Sequence, residues 1–162
     1  MRILPIAMTA ALLLPLARAT DPPEVKEGLW SVHMQFTDNP GNKKTEGSYS
    51  LCRDHAYDQR ARARAKQIPG CTVTSENSAG GKYTVEMRCV KMGSTIEGKS
   101  VTTILSDTTV HSESHSTTNP PLAGVSEQTV VMDQKYTGSC PAGAKPGDRI
   151  NSDGSIMHLG GR

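Results

Sequence analysis

Four cysteines constrain this chain more than anything else in it, because two of them bracket a segment patterned as a hairpin. In CTVTSENSAGGKYTVEMRC, from Cys71 to Cys89, the residues Tyr83, Val85, Met87 and Cys89 alternate with Lys82, Thr84, Glu86 and Arg88, the period of two expected of a half-buried strand. Cross-strand partners share a face, so a register that sets Val73 opposite Met87 also sets Cys71 opposite Cys89. That register leaves Ala79, Gly80 and Gly81 as a three-residue turn, where glycine enters the left-handed region at no steric cost. Four cysteines allow three connectivities. The register selects Cys71 with Cys89, worth about 3 kcal/mol by chain entropy, and elimination pairs Cys52 with Cys140, a longer closure worth about 4 to 5 kcal/mol.

Bonded cysteines require an oxidising compartment, and the start of the chain supplies a route to one. Met1 and Arg2 precede the apolar block ILPIAMTAALLLPL, and ARA ends at Ala19, which together form the pattern of a signal peptide over residues 1–19. The block is too short for a comfortable membrane span, and no later stretch approaches the roughly 20 apolar residues that spanning needs. No cysteine adjoins the cleavage point, which argues against a lipid anchor. The expected destination is the periplasm, or secretion. The gaps between successive cysteines, 18, 17 and 50 residues, match neither a redox Cys-x-x-Cys nor the close-paired ligands of a zinc knuckle.

Processing also changes the charge. The formal +2 of the whole chain comes from Arg2 and Arg18 in the leader, so the mature chain balances 16 basic against 16 acidic residues. A neutral exported chain gives no global electrostatic reason to bind nucleic acid.

Strands account for most of what remains. In GLWSVHMQF the residues Trp30, Val32, Met34 and Phe36 fall on one face, with Ser31, His33 and Gln35 on the other. TEGSYSLC, STIEGKSVTTILS, TTVHSESHSTT and SEQTVVMDQKYTG read as further strands, the second and third bent at Asp107 and the last preceded by the breaker NPPLAG. RDHAYDQRARARAKQ, from Arg53 to Gln67, is the helical candidate, stopped by Pro69 and Gly70. The expectation is an all-β antiparallel meander over residues 20–140, forming a small barrel or half-barrel with one inserted helix and two disulfides. Residues 141–162, rich in Gly, Pro and polar side chains, read as a flexible tail.

The order of these features resembles one known family. GLW soon after a signal peptide, then Cys52, then a hairpin bounded by Cys71 and Cys89, then YTGSCP from Tyr136 and KPGD from Lys145, is similar to the secreted bacterial Domain of Unknown Function 3617 family. The resemblance spans nearly the whole mature chain and implies a β-rich, cysteine-containing domain of the Gram-negative periplasm. It implies no activity and assigns no catalytic residue or cofactor. The arginine-rich helix, the Ser- and His-rich strand and the polar tail depart from the family pattern.

Those departures hold the candidates for chemistry. Arg60, Arg62, Arg64 and Lys66 place four cations within seven residues, enough to dock on an anionic surface, but steps of two spread them around a helix, and a solvated helix joined to the barrel by its alanines is the favoured account. On a strand, His111, Glu113 and His115 project from one face at spacings near 7 Å, a possible zinc or copper set with an open position. Neighbours two apart point in parallel, however, and a polar solvent face accounts for the same residues. No Gly-x-Ser-x-Gly, His-Glu-x-x-His or phosphate-cradling glycine loop occurs, so catalytic residues are not expected. The leading reading is a non-catalytic binding or structural module, in which Trp30, Val32, Met34 and Phe36 either line an interior for a small apolar ligand, lipid or protein segment or, the simpler account, just make the core. A metal-handling protein built on His111, Glu113 and His115 is the alternative.

Overall fold

A computed structural model describes residues 24–151 and 153–158, so the expected signal peptide lies outside the described residues. Seven long strands and one helix build the domain: β1 Gly28–Asn39, β2 Lys43–Arg53, α1 His55–Ala65, β3 Cys71–Ala79, β4 Lys82–Lys91, β5 Ser94–Ser106, β6 Thr109–Leu122 and β7 Val125–Gly138. After Cys140, β8 Arg149–Ile150 and β9 Ile156–Met157 extend the sheet beside β2, with Ile150 buried. Every pairing is antiparallel. The spatial order is β3-β4-β5-β6-β7-β1-β2-β8-β9, and the sheet stays open, with β3 and β9 as its edges.

Both disulfides form, Cys71 with Cys89 and Cys52 with Cys140. The hairpin register sets Cys71 opposite Cys89 and Val73 opposite Met87, as the alternation requires. Its turn is shorter than expected. A bulge at Thr74 absorbs the odd residue, so Ala79 pairs with Lys82 and only Gly80 and Gly81 remain, both at positive φ, 58° and 75°. Two consecutive left-handed residues make the turn type whose twist matches the strands it joins. The breaker NPPLAG is also partly strand, since β6 continues to Leu122 and the chain reverses at Ala123 and Gly124.

The helix begins where Asp54 caps it, accepting the backbone N–H of Tyr57 at 2.6 Å. It buries no residue and has almost no amphipathic character, so its position comes from its ends instead of an apolar face. At the first end, Arg53 binds both carboxylate oxygens of Asp58. At the other, Lys66 pairs with Glu76 of β3 at 2.7 Å.

Those two anchors reveal the shape of the sheet. From β2 to β3 there are six strand spacings, about 29 Å if the sheet were flat. An 11-residue helix is only about 16 Å long. The sheet therefore curls into an open half-barrel, and α1 crosses its concave face as a strap.

The apolar core cluster sits at the strapped end. Val25, Trp30 and Val110 form the core, with Ile104 and Tyr136 packed against it. Trp30 donates its indole N–H to the Lys26 carbonyl at 2.8 Å and meets Tyr136 edge to face at 6.1 Å. Close packing here also explains the glycine of GLW. Gly28 has φ +136°, and a Cβ on it would collide with the Gly138 carbonyl and the Tyr136 ring.

A groove beneath a helical strap

Register and alternation assign the concave face strand by strand. On β5 it carries Gly98, Ser100 and Thr102, and on β6 Ser112, Ser114 and Ser116, which stand opposite one another. These small side chains form a floor two strands wide. Four of its five hydroxyls pair locally: Ser114 donates to Ser100 at 2.9 Å, and Thr102 and Ser112 share a hydrogen bond of 2.9 Å.

Larger side chains rise on both sides. Tyr83, Val85 and Met87 of β4 flank one edge. Val130 and Met132 of β7 flank the other, continued by Met34 and Phe36 of β1. All of these remain half-exposed. The result is a linear groove running along the strands, about 14 Å between the β4 and β7 backbones, with a small-residue floor and apolar walls.

At its strapped end the groove runs beneath α1 into a cavity of about 230 Å³. Ile104, Val110 and Tyr83 supply apolar lining, and Arg53, His55, Asp58 and Arg62 supply charge. Arg53 is the structural centre of this end. Its guanidinium lies 4.8 Å over the Trp30 ring, grips Asp58, and donates to the Gln134 amide oxygen at 2.9 Å. His55 sits within 2.9 Å of the Val25 carbonyl, and that hydrogen bond, helped by Glu24 and Glu27, raises its pKa above the ordinary 6.5.

Of the four interior candidates on β1, Trp30 and Val32 are fully buried, whereas Met34 and Phe36 stand half-exposed along the groove. The cations of α1 divide in the same way: Arg62 lines the cavity, Lys66 anchors the strap, and Arg60 and Arg64 are exposed.

His111, Glu113 and His115 project from the convex face, opposite the serines between them. His111 pairs with Asp133 and His115 with Glu127, each at 2.7 Å. Among the described residues no group of three His, Cys, Asp or Glu side chains converges as a metal site would require. Also among them, no helix is long and apolar enough to cross a membrane.

The groove floor was missed by a reading that followed only the histidines. In HSESHS the functional alternation runs through both faces, and Ser112, Ser114 and Ser116 are the even positions of the same pattern. Three small residues in register with Gly98, Ser100 and Thr102 are the signal that would have found it.

Residues 25–140 match the sequence model of the family described as Protein of unknown function (DUF3617). No curated protein matches the chain.

Proposed function

The chain belongs to the DUF3617 family, whose description assigns no activity, and from its geometry we propose a non-catalytic carrier that holds one extended apolar chain, such as a lipid acyl tail. The observation that carries this reading is the groove itself: half-exposed Val85, Met87, Val130, Met132, Met34 and Phe36 along a floor of small residues. Large apolar side chains facing water on both sides of a channel leave transfer free energy unrealised, at roughly 25 cal/mol per Å². A ligand that covers them recovers it.

The floor favours an alkyl chain over a peptide. Four of its five hydroxyls already bond to one another, so a peptide backbone laid there would find few partners to replace the hydrogen bonds it gives up to water. An alkyl chain needs no polar partner.

Two disulfides fit an oxidising compartment. With the leader at residues 1–19, this supports export to the periplasm, where a soluble carrier would shield an acyl chain from water.

A fluorescent apolar probe, N-phenyl-1-naphthylamine, tests the reading directly. Its emission should rise on mixing with the protein, and Met132→Glu or Val85→Glu should suppress the rise while the far-UV circular dichroism is retained. No enhancement, or an enhancement untouched by both substitutions, would overturn it.

A further inference from the structure

The cavity beneath α1 carries more information than the groove, because one of the cations lining it has no acid partner among the described residues. We propose that the ligand is a single-chain amphiphile with a monoanionic head group, a fatty-acid carboxylate being the simplest, and that Arg62 receives that head; this rests on the apolar-groove reading above.

Three cations line the cavity: Arg53, His55 and Arg62. Arg53 is fully engaged by Asp58, Gln134 and the Trp30 ring. His55 faces Glu24, Glu27 and the Val25 carbonyl. Arg62 is different. It stands one helical turn after Asp58, half-buried in the cavity wall, and among the described residues it has no acid partner, since Asp58 is committed to Arg53. A guanidinium presented to a cavity in this way offers a planar, bidentate donor set suited to a carboxylate.

Size places the head and the tail. Sites that enclose a whole drug-sized ligand run to about 300–1,000 Å³, so a cavity of about 230 Å³ takes the head and the first few carbons only. The remaining chain must leave along the groove, whose apolar walls begin one step further along β4 and β7, at Val85 and Met132. Glu24 and Asp58 also line the cavity, which disfavours a head carrying two negative charges.

Displacement of the naphthylamine probe by three ligands of equal chain length tests the assignment: dodecanoate, dodecanol and dodecyltrimethylammonium. The intact protein should bind dodecanoate about tenfold or more tightly than dodecanol, as a charge-assisted hydrogen bond requires, and the cation most weakly. Arg62→Gln should bring dodecanoate to the level of dodecanol and leave dodecanol unchanged; Arg62→Lys should keep part of the preference. Arg60→Gln, on the exposed part of the same helix, should change nothing. Equal binding of acid and alcohol, or equal effects of the two Gln variants, would overturn the anionic head while the groove stands. Failure of all three ligands to displace a bound probe would overturn the head assignment, and failure of the probe itself to bind would overturn the groove reading with it.

Discussion

The Arg53 guanidinium lies 4.8 Å over the ring of Trp30 while both of its outer faces are hydrogen-bonded, to Asp58 of the strap and to Gln134 of β7. One side chain thus joins the core, the helix and the sheet. The Arg53 and Asp58 side chains are only 13% and 12% exposed, so solvent screens this pair little. Arg53→Ala should cost about 3 kcal/mol, because it strands a buried carboxylate. The double variant Arg53→Ala, Asp58→Ala should cost less than the two single losses added together. Urea titrations followed by Trp30 fluorescence measure all three; a single-variant loss under about 1 kcal/mol would contradict the arrangement.

Removing each disulfide separately should give unequal losses. Cys71 and Cys89 are 18 positions apart and Cys52 and Cys140 are 88 apart. Chain entropy then predicts about 3 kcal/mol for the paired Cys→Ser change in the hairpin and about 4 to 5 kcal/mol for the longer closure. Thermal unfolding of the two double variants checks the order.

Acid should loosen the end of the chain before the rest. Asp148 is buried, and its carboxylate accepts from the Lys145 backbone N–H and from His158, each at 2.7 Å. The Lys145 bond, then His158, holds its pKa below the ordinary 3.8. Because the folded value is the lower one, the stabilisation is complete above pH 3.8 and is lost as pH falls through the lowered value. Amide exchange at Cys52, whose N–H donates to the Asp148 carbonyl, should accelerate in that window, and Asp148→Asn should remove the acid dependence.

Filling the groove should block binding without unfolding the domain. Ser114 sits half-exposed at the middle of the floor, so Ser114→Leu places a branched side chain where the ligand would lie. Probe affinity should fall by about tenfold or more, with stability changed by less than about 1 kcal/mol, as surface substitutions usually are. Retained affinity in a folded variant would place the ligand elsewhere.

Much of this architecture was legible in the sequence because it depends on local alternation. Trp30 to Phe36 and Tyr83 to Cys89 announce their inward faces through period two alone, and the same arithmetic places Cys71 against Cys89. The alanines and arginines before Pro69 and Gly70 announce the helix, though not the Asp54 cap that begins it. The bulge at Thr74 was not legible, since nothing in its residue type requires an extra position there. The cavity was not legible either. Arg53, Asp58 and Gln134 belong to β2, α1 and β7, and only the curl of the sheet brings them together. Strand pairing order is a long-range property, so a site built across five strands and a helix leaves no contiguous motif.

A strap tied to β2 and to the β3 edge of a curled sheet works as a string works on a bow. The distance from Asp58, clasped by Arg53, to Lys66, clasped by Glu76, sets how far those two strands can part. Adding or deleting a helical turn between those knots would widen or narrow the channel by about 5.4 Å while keeping both knots on their present side of the helix. The width of the channel is therefore a matter of string length, adjustable with no change to any strand.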